Sequence, residues 1–239
     1  MLTIGVTGGV ACGKTTVSKF FEAEGAYRID ADRIARELVQ PGSPAWKELI
    51  RVFGKGILEG NGSVNRKRLA TLIFSHPRKR KLLNHILHPR IQREMEKRAR
   101  AIGKKDPNAI ILFDVPLLVE TGFHRKVDRV VVVTSTETQQ IHRLKKRAGL
   151  SEEEARRIIS SQLEAREKEK VADFVIRNEG SLEKTRRSVH RVFQELKKVL
   201  SQKRKRMTQP YTLRKKRGGL CDRPLQKSRG HLSGEKEGG

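Results

Sequence analysis

The chain has 239 residues, of which 36% are hydrophobic and 33% are charged, so the composition favours one packed domain with a densely charged surface. Its formal net charge of +26 indicates an anionic partner, an unusual tail, or both; the partner would be a polyphosphate or a nucleic acid. Residues 201–239 hold 12 basic and 3 acidic residues and so carry +9, which leaves +17 on residues 1–200. The longest apolar run, residues 110–119, is too short to cross a bilayer.

The start of the chain and its cysteines predict the compartment. Met1 leads almost directly into an apolar run, with no basic segment and no cleavage site, so we expect no signal peptide. The two cysteines, Cys12 and Cys221, lie far apart in different kinds of sequence, which makes a structural disulfide improbable. We therefore expect a cytoplasmic protein without membrane association.

In the first half of the chain, two short apolar runs are predicted to be strands. These are residues 2–7 and 27–30, and a helix from residue 14 to about residue 24 separates them. Residues 33–98 then show mostly helical patterns and no strand, including a helix at 90–100. This stretch is predicted to be a helical insertion over the carboxyl edge of a sheet.

In the second half, strands and helices alternate again. Predicted strands are residues 109–114, 129–134 and, as a weaker fifth candidate, 174–176; predicted helices are 136–147, 151–169 and 181–200. Ser151 and Glu154 form the pattern of a capping box at a helix start. Alternating strands and helices favour a parallel sheet in a doubly wound α/β domain over residues 1–200. Residues 201–239 are poor in large apolar side chains and carry the basic clusters 203–206 and 214–217, so we predict disorder there.

The strongest motif is a phosphate-binding loop between the first strand and the first helix. Gly8-Gly9-Val10-Ala11-Cys12-Gly13-Lys14-Thr15 matches G-x-x-x-x-G-K-[ST] at every fixed position. Its glycines let backbone N–H groups and a helix N-terminus surround an anion, Lys14 neutralises the β- and γ-phosphates, and the Thr15 hydroxyl binds Mg²⁺. The predicted ATP-binding residues are Gly8, Gly9, Val10, Ala11, Cys12, Gly13, Lys14, Thr15 and Thr16.

The cysteine in this loop carries a separate prediction. Oriented N–H groups and the Lys14 ammonium are expected to favour the thiolate of Cys12, making it reactive towards alkylating agents and protected by MgATP. Cys221 is expected to react regardless of ATP.

Acidic residues follow two of the predicted strands. Asp30-Ala31-Asp32 ends the second strand at the carboxyl edge of the sheet, where open α/β sheets bind ligands. Asp32 could accept a proton from an attacking hydroxyl or hold a water on Mg²⁺, or it could cap the following helix. Its setting beside a phosphate loop favours the first two roles over the cap. Asp114 ends the third strand, as a Mg²⁺-associated acid or as a capping residue, with neither favoured.

Beyond the phosphate loop, an ordered series of motifs resembles the dephospho-coenzyme A kinase family over about residues 2–198. The motifs are Asp30-Ala31-Asp32-Arg33-Ile34-Ala35, Gln40-Pro41-Gly42, His88-Pro89-Arg90-Ile91, Val115-Pro116-Leu117-Leu118-Val119-Glu120, Arg147 before Leu150-Ser151, and Ala172-Asp173-Phe174-Val175-Ile176-Arg177-Asn178. The resemblance implies a P-loop kinase fold with a five-stranded parallel core, a helical substrate-binding domain and a lid at about 143–170.

The same resemblance implies the reaction and its residues. The enzyme would transfer the ATP γ-phosphoryl group, with Mg²⁺, to the ribose 3′-hydroxyl of dephospho-coenzyme A, as a monomer or small homo-oligomer. Asp32 would be the general base, and lid arginines Arg147 and Arg143 would stabilise the transferring group beside Lys14; Arg143 could equally be a solvated helix charge. Acceptor contacts would come from Asp32, His88, Pro116 and Leu117, and Mg²⁺ contacts from Thr15 and Asp114.

Two other functions compete with this one. Another P-loop small-molecule kinase is disfavoured by the His88-Pro89 and Pro116-Leu117-Leu118 motifs. A nucleic-acid-binding protein would use the basic surface, but the sequence offers no aromatic platform and no recognition motif. We interpret the tail as an accessory segment that binds polyanions without specificity, or as a loosely constrained extension.

Overall fold

Five strands form one wholly parallel sheet in the order β2-β3-β1-β4-β5. The strands are Leu2–Gly8 (β1), Tyr27–Asp30 (β2), Ile110–Asp114 (β3), Arg129–Thr134 (β4) and Phe174–Arg177 (β5). Strands β1, β3 and β4 are buried almost throughout, because helices cover both faces of the sheet, and this explains their continuous apolar sequences. The predicted five-stranded parallel sheet is confirmed, with every strand within one residue of its predicted ends.

The computed structural model describes residues 1–74 and 76–208. Residues 1–201 form one unit that contains every strand, and the described part of a second unit, residues 202–208, is helical. None of the helices in these described ranges is both long and apolar enough to cross a membrane. The helices are Lys14–Ala23 (α1), Ala31–Leu38 (α2), Pro44–Phe53 (α3), Arg66–Phe74 (α4), Pro77–Lys105 (α5), Glu137–Ala148 (α6), Glu152–Ser160 (α7), Ala165–Glu169 (α8) and Leu182–Thr208 (α9), with short 3₁₀ turns at Lys55–Ile57 and Phe123–Lys126.

Each face of the sheet has its own apolar core. Helices α1 and α9 cover one face through side chains such as Phe21 and Phe193, whose rings meet edge to face. On the other face, α2, α5 and the segment after β3 contribute Ile34, Met95 and Leu118. The carboxyl ends of β1, β2 and β3 stay uncovered by these cores, so they form the edge at which a ligand site can be built.

The helical insertion is confirmed, but its longest helix is not the one predicted. Helix α5 begins at Pro77 rather than at residue 90 and passes through Pro89. A proline inside a helix loses one backbone hydrogen bond at a cost of about 3 kcal/mol. Burial on both sides of it, at Ile86 and Met95, offsets this cost, so tertiary packing overrides the local signal.

Two other helix predictions need correction. The predicted helix at 151–169 is two helices, α7 and α8, because the chain leaves helical geometry at Gln162 to contact the phosphate loop; the capping box of Ser151 and Glu154 is present. The predicted disorder from residue 201 is wrong for residues 201–208, which continue α9. Lysine and arginine are good helix formers and interact favourably with a helix C-terminus. Residues 209–239, including Cys221, lie outside the described residues.

Candidate active site

The phosphate loop, residues 8–15, joins β1 to α1 in a backbone shape that constrains its residues. Ala11 and Gly13 both adopt positive φ, +55° and +90°. A Cβ atom on Gly13 would lie 2.0 Å from Nδ2 of the buried Asn178. Position 13 therefore needs glycine both for its conformation and for the close approach of another side chain.

Side chains from distant parts of the chain hold the carbonyl groups of the phosphate loop. Three successive carbonyls each accept a hydrogen bond from a side chain that lies behind the loop: Val10 O from Gln140 Nε2 at 2.9 Å, Ala11 O from Arg143 Nη1 at 3.0 Å and Cys12 O from Asn178 Nδ2 at 2.9 Å. Among the described residues, no side chain caps the α1 N-terminus at Gly13. With the carbonyls held in this way, that N-terminus is available to bind an anion.

Asn178 contacts the phosphate loop, and sequence reasoning assigned it no role. It follows β5, is 3% exposed, and accepts a hydrogen bond from Thr185 Oγ1 at 2.9 Å through its own Oδ1. Its side chain is thus fixed on both sides between α9 and the phosphate loop. The available signal was a polar residue directly after a strand end, the position where α/β folds place ligand-binding groups.

The predicted reactivity of Cys12 is wrong. The side chain is 1% exposed and packs in the apolar core with residues of β1, α1 and α9. Burial raises the pKa of the thiol above its usual range, and this outweighs the lowering by a backbone hydrogen bond at Lys14 and by nearby cations. The loop presents the backbone of Cys12 to the site and turns the sulfur inward, which a sequence motif does not reveal.

Lys14 and Asp114 form an ion pair at the carboxyl edge of the sheet. Asp114 is 1% exposed and also receives Arg28, whose Nη2 lies 2.7 Å and whose Nε lies 2.9 Å from Oδ2. Arg28 Nη2 further contacts Asp30 Oδ2 at 3.0 Å. Arg28 was not predicted, although Arg28 and Asp30 are two residues apart on a strand and so share one face.

Asp32 is not needed as the N-cap of α2, because Asp30, two residues earlier, caps that helix. Asp30 is the N-cap of α2, and its side chain accepts a hydrogen bond from the backbone N–H of Arg33, so the capping alternative for Asp32 is excluded. The Asp32 side chain is exposed at the edge of a cavity. Although the residue is exposed, protein atoms around its carboxyl displace part of the solvent, and this loss of solvation raises the pKa of the carboxyl. The Lys14 ammonium lowers that pKa, and Asp30 and Asp114 raise it, with a net increase.

A cavity of about 220 Å³ lies beside Asp32, and its lining includes all four residues that were predicted to contact the acceptor. It lies between α2, α5 and the segment after β3, and most of its surface is apolar. Burial lowers the pKa of the His88 imidazole at its wall, which favours the neutral ring at physiological pH. The lining residues are Asp32, His88, Pro116 and Leu117 together with Ala31, Ala35, Ile91, Gln92, Met95, Val115, Thr121 and Phe123.

The two predicted lid arginines lie in different surroundings on α6. Arg143 is half-buried and donates to Ala11 O and to Asn178 O, each at 3.0 Å, so it is not a solvated helix charge. Arg147 is exposed near the end of α6.

A second cavity, of about 570 Å³, lies between the phosphate loop and α7. Arg156 and Arg157 both line it, and Arg156 is engaged by Glu137 at 2.6 Å and by Glu152 at 2.8 Å. Sequence reasoning singled out neither arginine, because adjacent arginines on a helix do not by themselves reveal that they line a cavity.

Comparisons with known proteins agree on one family. Residues 2–184 match the family model described as dephospho-CoA kinase. The dephospho-CoA kinase of Geobacillus kaustophilus is 43% identical over 79% of this chain and 93% of its own, and that of Corynebacterium efficiens is 43% identical over 82% of this chain and 98% of its own. Among solved structures, a dephospho-CoA kinase from Campylobacter jejuni is 28% identical, with a TM-score of 0.62 over 82% of this chain and 97% of that one.

Proposed function

The chain belongs to the dephospho-CoA kinase family, and from that premise we propose that it transfers the γ-phosphoryl group of ATP to the ribose 3′-hydroxyl of dephospho-coenzyme A. The products are coenzyme A and ADP, and the reaction is the last step of coenzyme A biosynthesis. The observation that carries the proposal is the position of Asp32, which belongs to the acceptor cavity and lies near enough to Lys14 for the ammonium to shift its pKa.

Asp32 is the proposed general base. Its raised pKa makes the carboxylate a stronger proton acceptor, which suits it to take the proton of an attacking hydroxyl. His88, Pro116 and Leu117 contribute to the wall on which the acceptor lies, and the apolar lining excludes water from the reacting atoms. No covalent intermediate is needed, because phosphoryl transfer depends mainly on positioning and charge stabilisation.

Lys14 and the phosphate loop neutralise the nucleotide. Lys14 is paired with Asp114, and we propose that it exchanges this partner for the β- and γ-phosphates when ATP binds. Arg28 keeps its contacts with Asp114 after that exchange. The buried carboxylate is therefore never left without a cation, which would be costly.

The residues at this edge fit Mg²⁺. The exposed Thr15 hydroxyl and the Asp114 carboxylate are hard oxygen donors, and Mg²⁺ is commonly bound by one or two such groups together with substrate phosphates. Thr15 and Asp114 would hold the ion, Asp114 directly or through water. When bound, Mg²⁺ would supply positive charge that stabilises the negative charge developing on the transferring phosphoryl group.

The segment 143–170 is proposed to act as the lid. Arg147 and Arg157 are exposed arginines on α6 and α7, and lid closure would bring their planar guanidinium groups to the transferring phosphoryl group. Arg143 already supports the phosphate loop from behind, so its contribution is to hold the loop in shape.

A product assay tests the reaction. Full-length protein is incubated with ATP, Mg²⁺ and a panel of hydroxyl acceptors that includes dephospho-coenzyme A, shikimate and nucleosides, and the phosphorylated product is identified by mass. We expect dephospho-coenzyme A to have the highest kcat/KM and Lys14→Ala to lose nearly all turnover. A higher kcat/KM for another acceptor, or near-normal turnover by Lys14→Ala, would refute the assignment.

The basic tail is proposed to bind polyanions without specificity, because residues 203–206 and 214–217 are runs of Lys and Arg. Truncation after residue 208 leaves α9 and residues 203–206 in place and removes residues 214–217, so it tests the contribution of the second basic run. We expect kinase activity to persist while binding to a heparin column weakens. A cytoplasmic location and a monomeric or small homo-oligomeric state complete the proposal; fractionation and light scattering test them.

A further inference from the structure

Lys168 is a buried cation for which the reaction described above has no use. It lies on the short helix α8 and is 1% exposed. Its Nζ is 2.8 Å from Glu120 Oε1, but within residues 1–74 and 76–208 the ammonium has no partner in hydrogen-bond geometry. Lysine is rarely buried fully, since removing its charge from water costs several kcal/mol. An apolar side chain at this position would avoid that desolvation cost.

The partner of Lys168 lies in the segment that forms part of the wall of the acceptor cavity, next to a lining residue. Glu120 directly precedes Thr121, which lines that cavity together with Pro116 and Leu117. The same segment is tied to β1 by a hydrogen bond from Thr7 Oγ1 to Pro116 O at 2.9 Å. The ion pair is thus a second attachment, at the far end of residues 116–121.

The chain around Lys168 is also attached to the nucleotide side of the site. Six residues earlier, Gln162 Oε1 accepts a hydrogen bond from the Val10 N–H at 2.8 Å. Lys168 lies close enough to the phosphate loop for its charge to act on Cys12. Residues 162–168 therefore run from the phosphate loop at one end to the acceptor wall at the other.

We propose that Lys168 is a positioning residue for the acceptor: its ion pair with Glu120 fixes residues 116–121 relative to the phosphate loop. The inference rests on the proposed function, because the wall it positions is the one on which dephospho-coenzyme A would lie. Small displacements of a bound reactant cost large factors in rate. An ion pair between the lid segment and residues 116–121 keeps the hydroxyl in line with the phosphoryl group.

The test compares two single variants with their double variant in the full chain. Lys168→Met and Glu120→Met each leave one charge without its partner, whereas the double variant replaces the pair by apolar groups of similar volume. We expect each single variant to lose roughly tenfold to a hundredfold in kcat/KM for the acceptor, with ATP affinity measured by calorimetry nearly unchanged. Since apolar replacement of a buried pair is often neutral for stability, the double variant should recover the wild-type Tm without recovering acceptor kcat/KM.

Lys170→Met is the matched control. Lys170 immediately follows α8 and pairs with Glu167 at 2.6 Å, but both side chains are exposed, so this variant should behave like the wild type. Lys168→Arg retains the charge and should keep more acceptor kcat/KM than Lys168→Met.

Other results would overturn the inference. They are recovery of both Tm and acceptor kcat/KM by the double variant, failure of the double variant to fold, equal losses for ATP and acceptor, or single variants that match the wild type. A wild-type protein that does not phosphorylate dephospho-coenzyme A would refute the proposed function itself, and in that case the single variants lose no acceptor turnover to compare.

Discussion

Asn178 Nδ2 donates a hydrogen bond to Cys12 O at 2.9 Å, so a side chain at the end of β5 fixes the middle of the phosphate loop. The two residues are 166 positions apart in the chain. This contact explains why Gly13 has no room for a side chain, because Nδ2 occupies the space that a Cβ would need. The geometry of the nucleotide site therefore depends on the last strand as much as on the motif.

Gly13→Ala should abolish nucleotide binding. The added Cβ would lie 2.0 Å from Asn178 Nδ2, at a residue whose φ is +90°. The loop must therefore shift, and its backbone N–H groups would no longer point at the phosphates. We expect kcat/KM for ATP to fall by about a hundredfold or more. The matched control is Gly56→Ala, because no heavy atom lies within 4 Å of the added Cβ there. Normal ATP binding by Gly13→Ala would show that the loop tolerates the shift.

Asp32→Asn should lower kcat by something on the order of 10²–10⁴ while ATP affinity stays nearly intact. The amide cannot accept the hydroxyl proton, whereas the cap of α2 is preserved because Asp30 supplies it. Steady-state kinetics and calorimetric titration with ATP measure the two effects separately. Loss of ATP binding with kcat preserved would exclude the role of Asp32 as base.

Asp32 should also reveal itself in the pH dependence of stability. Its pKa is raised in the folded state, so the folded protein binds the proton more tightly than the unfolded chain does. The stability that this group contributes is present below the unfolded pKa and is lost as pH rises through the folded pKa. Asp32→Asn should therefore have a higher Tm than the wild type at pH 7, and the difference should shrink towards about pH 4. A lower Tm at pH 7 would contradict the direction of the shift.

Cys12 should resist alkylation in the native protein. Its buried thiol has a raised pKa, so the reactive thiolate is scarce and covered, with or without MgATP. Peptide mapping after iodoacetamide treatment at pH 8 should show labelling at least about tenfold slower than that of a free model thiol. After unfolding in guanidinium, labelling should be complete. Rapid labelling of Cys12 in the native protein that MgATP slows would instead support the reactive thiolate predicted from the loop motif.

Substitution of the two arginines of α6 should have different consequences. Arg143→Met removes hydrogen bonds to Ala11 O and Asn178 O, and charged hydrogen bonds contribute about 1.5–3 kcal/mol each, so both Tm and ATP affinity should fall. Arg147→Met changes an exposed side chain and should leave Tm unchanged while kcat falls about tenfold or more. Thermal unfolding measures the Tm of each variant, and steady-state kinetics measure its kcat. An unaltered kcat for Arg147→Met would remove it from the lid mechanism.

The amino-acid sequence by itself determined the five strands, the phosphate loop and the acidic residues at the strand ends. Strands with continuous apolar sequences are typical of a sheet that is covered on both faces. The fixed spacing of glycine and lysine encodes an anion site within a dozen residues. These signals are local. Pro89 shows their limit, because a helix breaker is overruled where residues on both sides of it are buried.

Only the tertiary structure decided what surrounds each group. It placed the sulfur of Cys12 in the core, selected Asp30 over Asp32 as the helix cap and brought Arg28 to Asp114. It also joined Lys168 to Glu120, 48 positions away in the chain. Burial, pKa and pairing depend on which elements pack together across the sheet, and contacts between residues this far apart leave no periodic trace in one sequence.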